Sequence, residues 1–184
     1  MPRRNRRREG RESLYPSFEL NTGRLRLRPL TDDDVEPLLE ILGDAETMTW
    51  YPAPYDRDGV VEWVARTRQS YEANGFGLFG VVERSTGGFL GDCGPTIQHV
   101  DGEPHVELGW HVRRDRWGEG IATEAGAACR DWCFETFEMN HLISLIRPEN
   151  RPSWRVAEKL GFTIWRETDR AGYRHFVYRL DRAR

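Results

Sequence analysis

The sequence predicts a single α/β domain of α+β type: a mixed, mostly antiparallel seven-stranded sheet with helices on both faces and one parallel pair, the fourth and fifth strands. Three observations predict it. The chain has 184 residues, enough for one domain with a full core. Its periodicities read strand, helix, helix, three strands, helix, strand, helix, two strands. The strand–loop–helix–strand run over 105–147 is a crossover unit, which is right-handed and joins parallel neighbours.

Arg24-Leu-Arg-Leu-Arg-Pro-Leu30 alternates charge and leucine, the pattern of a half-buried strand. Thr31 caps the helix that follows, and Asp32, Asp33 and Asp34 crowd its first turn, where carboxylates favour the dipole. That helix should end near Gly43. Residues 44–56 form a loop rich in proline and aromatics, and a second helix spans 57–73, closed by Asn74-Gly75. Strands follow at 76–83 and 89–98 around Ser85-Thr86-Gly87-Gly88, then at 105–112 after Asp101-Gly102-Glu103-Pro104. A third helix covers 119–137, a fifth strand 141–147, and a fourth helix 151–160 that stops at Gly161. Strands at 162–168 and 173–180 flank an Ala171-Gly172 turn. No repeat and no second domain is visible. The domain is placed at 24–184, behind a basic, flexible arm at 1–23.

Hydrophobic residues are 38 % and charged residues 31 %, the balance of a domain with a well-charged surface. No window approaches the roughly 18 apolar residues of a membrane span, and the N-terminus has no apolar signal region. Cys93, Cys129 and Cys133 are an odd set without metal-type spacing. They predict a reduced, cytoplasmic setting and no metal, and Cys129 and Cys133, one helical turn apart, read as buried thiols. Net charge is −3, yet residues 1–12 hold six arginines and two glutamates, leaving 21 basic and 28 acidic side chains in 13–184, a net of −7. An acidic body argues against nucleic-acid binding by the domain and suits a cationic substrate. The arginine arm is either a solvated tail or a contact for RNA.

Two stretches carry chemistry. The first is His105 to Gly120, running on into Ile121-Ala122. A strand turns through Trp117-Gly118-Glu119-Gly120 into a helix. Such a junction aims free N–H groups and the positive end of the helix dipole at one point, an anion site; its rival reading is a plain turn with helix capping. The second is Arg147-Pro-Glu-Asn150-Arg-Pro-Ser153. It again lies where a parallel strand hands over to a helix, at the carboxyl ends where ligands bind in such sheets. Ordinary capping by Asn150 and Ser153 also accounts for it.

Together, Glu107-Leu-Gly-Trp110, Trp117-Gly-Glu-Gly-Ile-Ala-Thr-Glu-Ala125 and Asn150-x-x-Ser153 followed by Ala157-Glu-Lys-Leu-Gly-Phe162 resemble the GCN5-related N-acetyltransferase (GNAT) superfamily. The likeness is to its branch of Rim-type ribosomal-protein N-terminal acetyltransferases, and the element order over 24–180 matches as well. The resemblance implies acetyl-CoA as co-substrate. Its pyrophosphate would lie on the amides of 116–121, and its pantetheine between the splayed fourth and fifth strands along Trp110, His111 and Val112. The binding set implied is those three residues with Arg114, Arg116, Trp117, Gly118, Glu119, Gly120, Ile121, Ala122, Asn150 and Ser153. One position departs from the family: its loop usually opens with Gln or Arg, and here Asp115 stands there. Either Arg114 or Arg116 replaces the missing contact, or Asp115 turns away and pairs with one of them.

The implied activity is acetyl transfer to a primary amine, most of all a protein N-terminal α-amino group. The alternatives are a polyamine or aminoglycoside acetyltransferase, or a non-catalytic acyl-CoA-binding module. The amine must attack as the neutral base. An α-amino group with pKa about 8 is roughly one-tenth neutral at pH 7, against below about one-thousandth for an alkyl amine near 10.4. Glu107, beside the thioester in this family, is the candidate base through a water, or else binds the ammonium group or orders the strand. The family's usual tyrosine on the fourth helix is absent, and Ser153 resembles the serine of the Rim-type branch, a partner for the departing thiolate. A backbone N–H near Trp110 or His111 would supply the oxyanion donor. Trp50, Tyr51 and Tyr55 are expected to wall the acceptor pocket with Glu107; Trp63, on a helix, reads as core. His105, His111 and His175 read as surface or packing residues, and Glu167 and Asp169 as weaker partners for the amine. The chain is expected to be a monomer or a homodimer.

Overall fold

The computed structural model describes residues 18–183. The arm predicted at 1–23 therefore lies largely outside the described residues. The strands are β1 (Leu20–Asn21), β2 (Leu25–Pro29), β3 (Phe79–Glu83), β4 (Phe89–Val100), β5 (Glu103–Val112), β6 (His141–Ile146), β7 (Thr163–Arg170) and β8 (Tyr173–Asp181). The helices are α1 (Val35–Leu42), α2 (Arg57–Asn74), α3 (Ile121–Thr136) and α4 (Arg151–Lys159). One sheet holds all eight strands in the order β1-β2-β3-β4-β5-β6-β8-β7.

Seven strands were expected, and the described residues hold eight. The addition is β1, which pairs Leu20 with Leu27 and Asn21 with Arg26. Two residues show no alternation, so nothing in the sequence marks them. The predicted fourth and fifth strands are β5 and β6, and they are the parallel pair, in register only at Glu107 and Ile143. Beyond that point they diverge, and the wedge opens toward the N-termini of α3 and α4.

The helices cover both faces. Cys129, Cys133, Ala157 and Leu160, from and beside α3 and α4, bury themselves with Leu25, Phe79 and Leu108 on one face. Val35, Leu38, Val60 and Val64 of α1 and α2 pack with Leu30 and Leu78 on the other. Each cluster removes apolar area from water at about 25 cal/mol per Å². The three cysteines are free and buried, and burial pushes the Cys133 thiol up to about 12. The first turn of the helical region differs from expectation. Asp32–Asp34 form a 3-10 turn before α1, and Asp34 is buried with both oxygens 2.7 Å from the Arg28 guanidinium. That acid also closes a capping box with Thr31, whose N–H donates to Asp34 Oδ2 at 2.8 Å, so it ties β2 to the helix start.

Candidate functional site

β5 is the element on which the site is built. Its side chains alternate, so Leu108 enters the core under α3 while Glu107, Gly109 and His111 share the opposite face. At the apex of the wedge Glu107 Oε1 accepts the Leu145 N–H at 3.1 Å, and Ser144 Oγ donates to the Leu108 carbonyl at 3.0 Å. Side chains thus replace the ladder bonds that the splay removes, and the strands can part without orphaning buried backbone groups. Burial pushes the Glu107 carboxyl above its ordinary value, against the opposing pull of Arg170, the Leu145 amide, His111 and Gln98.

A cleft of about 620 Å³ occupies the wedge. It is lined by Trp50 and Tyr51, by Trp110, His111 and Val112, by Arg116, Trp117, Gly118, Gly120, Ile121 and Ala122, and by Asn150 and Ser153. Arg114, Glu119, Tyr55 and Glu107, also expected in the site, do not line it. Tyr55 instead packs edge-on against Trp63, with ring centroids 5.5 Å apart. Thr123, Arg155 and Lys159 do line it and escaped the sequence reading; the last two are basic residues one turn apart on α4.

The N-cap of α3 is Gly120, whose φ of +80° is in the left-handed region, as is the +81° of Gly118. A Cβ at Gly118 would meet nothing within 4 Å, so that loop is open above its backbone. The first-turn amides of α3 have no carbonyl within the helix to bond and point out of its end. At α4, Asn150 Oδ1 accepts the Ser153 N–H at 3.2 Å, so the capping reading of Asn150 holds there.

The loop arginines are already engaged. Asp115 does turn away, but its partner is Arg113, through Nε at 3.0 Å and Nη2 at 3.2 Å, and not Arg114 or Arg116. Arg113 holds the Asp115 carboxyl below its ordinary value. Arg114 binds Glu46 at 2.5 Å, while Arg116 bonds Glu119 at 3.0 Å and Glu83 at 2.8 Å. Arg24, absent from the predicted set, donates to the Glu119 carbonyl at 3.1 Å and binds Glu124 at 2.7 Å, beside the N-terminus of α3. Trp117 Nε1 donates to the Val112 carbonyl at 2.7 Å, which folds the loop back on the end of β5.

His111 is neither a surface nor a plain packing residue. It is 8 % exposed, with Nδ1 2.7 Å from Oδ1 of Asp92, which is 0 % exposed on β4. Its Nε2 is 2.7 Å from the Tyr51 hydroxyl. Trp63, in the core cluster as expected, also donates its indole N–H to Asp92 Oδ2 at 2.8 Å. Gly91 lets β4 and β5 approach here: its φ is +149°, and a Cβ would lie 1.9 Å from the His111 carbonyl oxygen. Asp92 was missed by sequence reading; its one signal is an acid in an otherwise buried strand.

His105, His175 and Glu167 are occupied elsewhere. His105 Nδ1 is 3.1 Å from His141 Nε2, and His175 Nδ1 is 2.9 Å from the Tyr173 carbonyl. Glu167 is ion-paired with Arg174 across β7 and β8, so it does not reach the cleft. Among the described residues no cluster of three or more His, Cys, Asp or Glu could hold a metal, and no helix is long and apolar enough to cross a membrane.

Comparison with known proteins agrees with this geometry. The family described as the acetyltransferase (GNAT) domain matches residues 24–163. YkkB of Bacillus subtilis (strain 168) is 36 % identical over 144 residues, covering 78 % of this chain and 84 % of that protein. The crystal structure of an acetyltransferase from Agrobacterium tumefaciens str. C58 superposes with a TM-score of 0.79 at 32 % identity, over 94 % of this chain and 100 % of its own. The ribosomal L7/L12 α-N-protein acetyltransferase RimL, solved with coenzyme A, shares the fold with a TM-score of 0.73 at 14 % identity, over 89 % of this chain and 98 % of its own.

Proposed function

Because the chain belongs to the GNAT acetyltransferase family, an N-acetyltransferase fold that uses acetyl-CoA, we propose that it moves the acetyl group to a protein N-terminal α-amino group, in the manner of the Rim-type branch. The observation that carries the reading is the cleft itself. It runs from a backbone cradle at Gly118–Ala122 along the parted end of β5 to the Asp92–His111–Tyr51 group.

The residues present fit acetyl-CoA. The open loop at Gly118 admits a phosphate oxygen onto backbone amides, and Arg155 and Lys159 add charge from the far wall. The parted edge of β5 at Trp110–Val112 offers backbone groups to an extended chain. Bound there, acetyl-CoA supplies an activated acyl carbon. Ser153, in the first turn of α4, faces the cleft and is placed to hydrogen-bond the leaving sulfur. A β5 backbone N–H near Trp110 or His111 is the oxyanion donor in this reading. Glu107 holds the amine in this reading, from the face of β5 that it shares with His111. A reduced, cytoplasmic setting is consistent with three free thiols.

A single-charged acceptor fits better than a polycation. The Arg147 guanidinium lies 4.1 Å from the Tyr173 ring centroid and 5.9 Å from that of Trp50, and Arg170 acts on both Glu107 and Tyr51. Two cations at the acceptor side repel a polyamine or an aminoglycoside more than an α-amino group. An acceptor screen by mass spectrometry tests this. Peptides with free N-termini should gain an N-terminal acetyl group faster than spermidine or kanamycin do. Acetylation of spermidine or kanamycin alone would overturn the choice of acceptor.

A further inference from the structure

We propose that Asp92, His111 and Tyr51 form a proton relay for the acceptor amine, in which Tyr51 touches the amine and His111 and Asp92 position and charge it from behind. The proposal rests on the acetyl-transfer reading above and assigns the proton step within it.

The directions of the hydrogen bonds follow from the chemistry of the partners. Asp92 is fully buried, and each of its carboxylate oxygens has a donor: Trp63 Nε1 at 2.8 Å and His111 Nδ1 at 2.7 Å. An ionised carboxylate only accepts, so Nδ1 carries the ring proton. In the neutral imidazole Nε2 is then a lone pair, and the Tyr51 hydroxyl 2.7 Å away donates to it. The hydroxyl proton is turned inward, which leaves the oxygen lone pairs for the cleft that Tyr51 and His111 both line. A nucleophile–imidazole–carboxylate triad has the same order, with the tyrosine oxygen here receiving a proton from the amine.

The face of β5 between Glu107 and His111 is open. Gly109 lies between Glu107 and His111 on their shared face of β5, and a Cβ there would meet nothing within 4 Å. An amine head over Gly109 has the Glu107 carboxylate on one side and the relay on the other. The groups facing the relay are Asp92 from β4, Glu107 from β5, Tyr55 ahead of α2 and Arg170 at the end of β7. Burial, then Glu107, Asp92 and Tyr55, raise the Tyr51 phenol above its ordinary value against Arg170. The phenol therefore stays protonated near neutral pH and conducts a proton rather than serving as a phenolate.

In the step, the bound ammonium first gives one proton to the Tyr51 oxygen as that oxygen gives its own proton to His111 Nε2. Asp92 holds the resulting imidazolium. The freed amine lone pair forms the C–N bond and the thioester C–S bond breaks, its electron pair leaving on sulfur. A second N–H proton passes to the sulfur, releasing a neutral thiol, and the imidazolium returns its proton through Tyr51 to water, which resets the relay. One proton is released per acetyl group transferred, so charge and protons balance with no further reactant.

The test uses the full chain with acetyl-CoA and two probe amines, an alanyl peptide with a free N-terminus and spermidine. Tyr51→Phe should lower kcat about 100-fold while calorimetry shows acetyl-CoA Kd unchanged. Its residual rate should climb about tenfold per pH unit toward the amine pKa, because only amine that is already neutral now reacts. His111→Gln and Asp92→Asn should reproduce that profile, whereas a merely structural role would lower the rate without reshaping it. Wild-type kcat and profile in Tyr51→Phe would overturn the relay, as would loss of acetyl-CoA binding in step with kcat. If the wild type acetylates neither probe, the transfer reading is what fails. The relay is then judged by 15N NMR of His111: a proton on Nδ1 that Asp92→Asn displaces supports it, and a proton on Nε2 in the wild type rejects it.

Discussion

The two ends of the cleft handle charge in opposite ways. At the loop end, Arg113 and Arg114 are tied to exposed carboxylates, Asp115 and Glu46, and Arg116 to Glu119 and to the part-buried Glu83. What the loop itself leaves for an anion is backbone, the αL turns at Gly118 and Gly120 and the amide end of α3, with Arg155 and Lys159 across the cleft. At the other end the polar groups are few, mostly buried and aligned, from Trp63 through Asp92 and His111 to Tyr51. In the reading proposed above, the arginines of this loop are held by carboxylates rather than offered to the anion. Exposed ion pairs are worth about 0–1 kcal/mol each, so loop substitutions should be mild, whereas each break in a buried network leaves an unpaired group costing about 1–3 kcal/mol.

Five changes would break or sharpen that contrast. The largest effect is expected at Gly91→Ala, where the new methyl would sit 1.9 Å from the His111 carbonyl oxygen in a left-handed backbone. β4 and β5 must part, and a loss of about 3 kcal/mol or more, read by urea denaturation, follows. Next, Glu107→Gln should cut kcat by about 100-fold with acetyl-CoA binding retained. The same variant tests the sign of the raised Glu107 pKa. A raised acid is stabilised when protonated, so its favourable contribution is complete below the unfolded pKa and lost as pH rises through the folded one. Thermal melts should therefore show Glu107→Gln gaining on the wild type at pH 8 and losing that advantage as pH falls through the ordinary carboxylate range.

Gly120→Ala comes third. A side chain at φ +80° costs about 1–2 kcal/mol, and acetyl-CoA Kd, measured by calorimetry, should rise about tenfold. The smallest effects belong to the loop charges. Arg116→Gln should change Kd less than about threefold, since its guanidinium is committed to Glu83 and Glu119. Asp115→Ala, which frees Arg113, should tighten binding by a similar factor at low salt and by nothing at high salt. A tenfold loss in Arg116→Gln would mean that this arginine leaves its carboxylates for the phosphates, and the contrast between the two ends would collapse.

Much of the fold was legible because it is written locally. Arg24–Leu30 alternates, Asn74-Gly75 and Gly161 stop helices, and 105–147 has the shape of a crossover, so the sheet, its helices and its parallel pair could be read in advance. β1 was not, because two residues carry no period. The backbone part of the site was legible for the same local reason: the glycines that turn β5 into α3 are adjacent in sequence. The side-chain part was not. Tyr51 and His111 stand 60 positions apart, Arg114 and Glu46 stand 68 apart, and Asp92 is one acid in a strand. Only the register of β4 on β5, which sets Asp92 opposite His111, brings the group together. Tyr55 and Glu167 went the other way, chosen by residue type and then claimed by packing against Trp63 and by Arg174.

The central claim is that the cleft transfers an acetyl group to an amine. Incubation of the full chain with acetyl-CoA and a panel of free-N-terminus peptides, followed by mass spectrometry and thiol titration, tests it most directly. One acetylated amine per thiol released, abolished by prior acetylation of the peptide N-terminus, is the expected result. Acetyl-CoA bound tightly by calorimetry, with no acetylated product from any peptide, spermidine or kanamycin, would contradict it and leave an acyl-CoA-binding module.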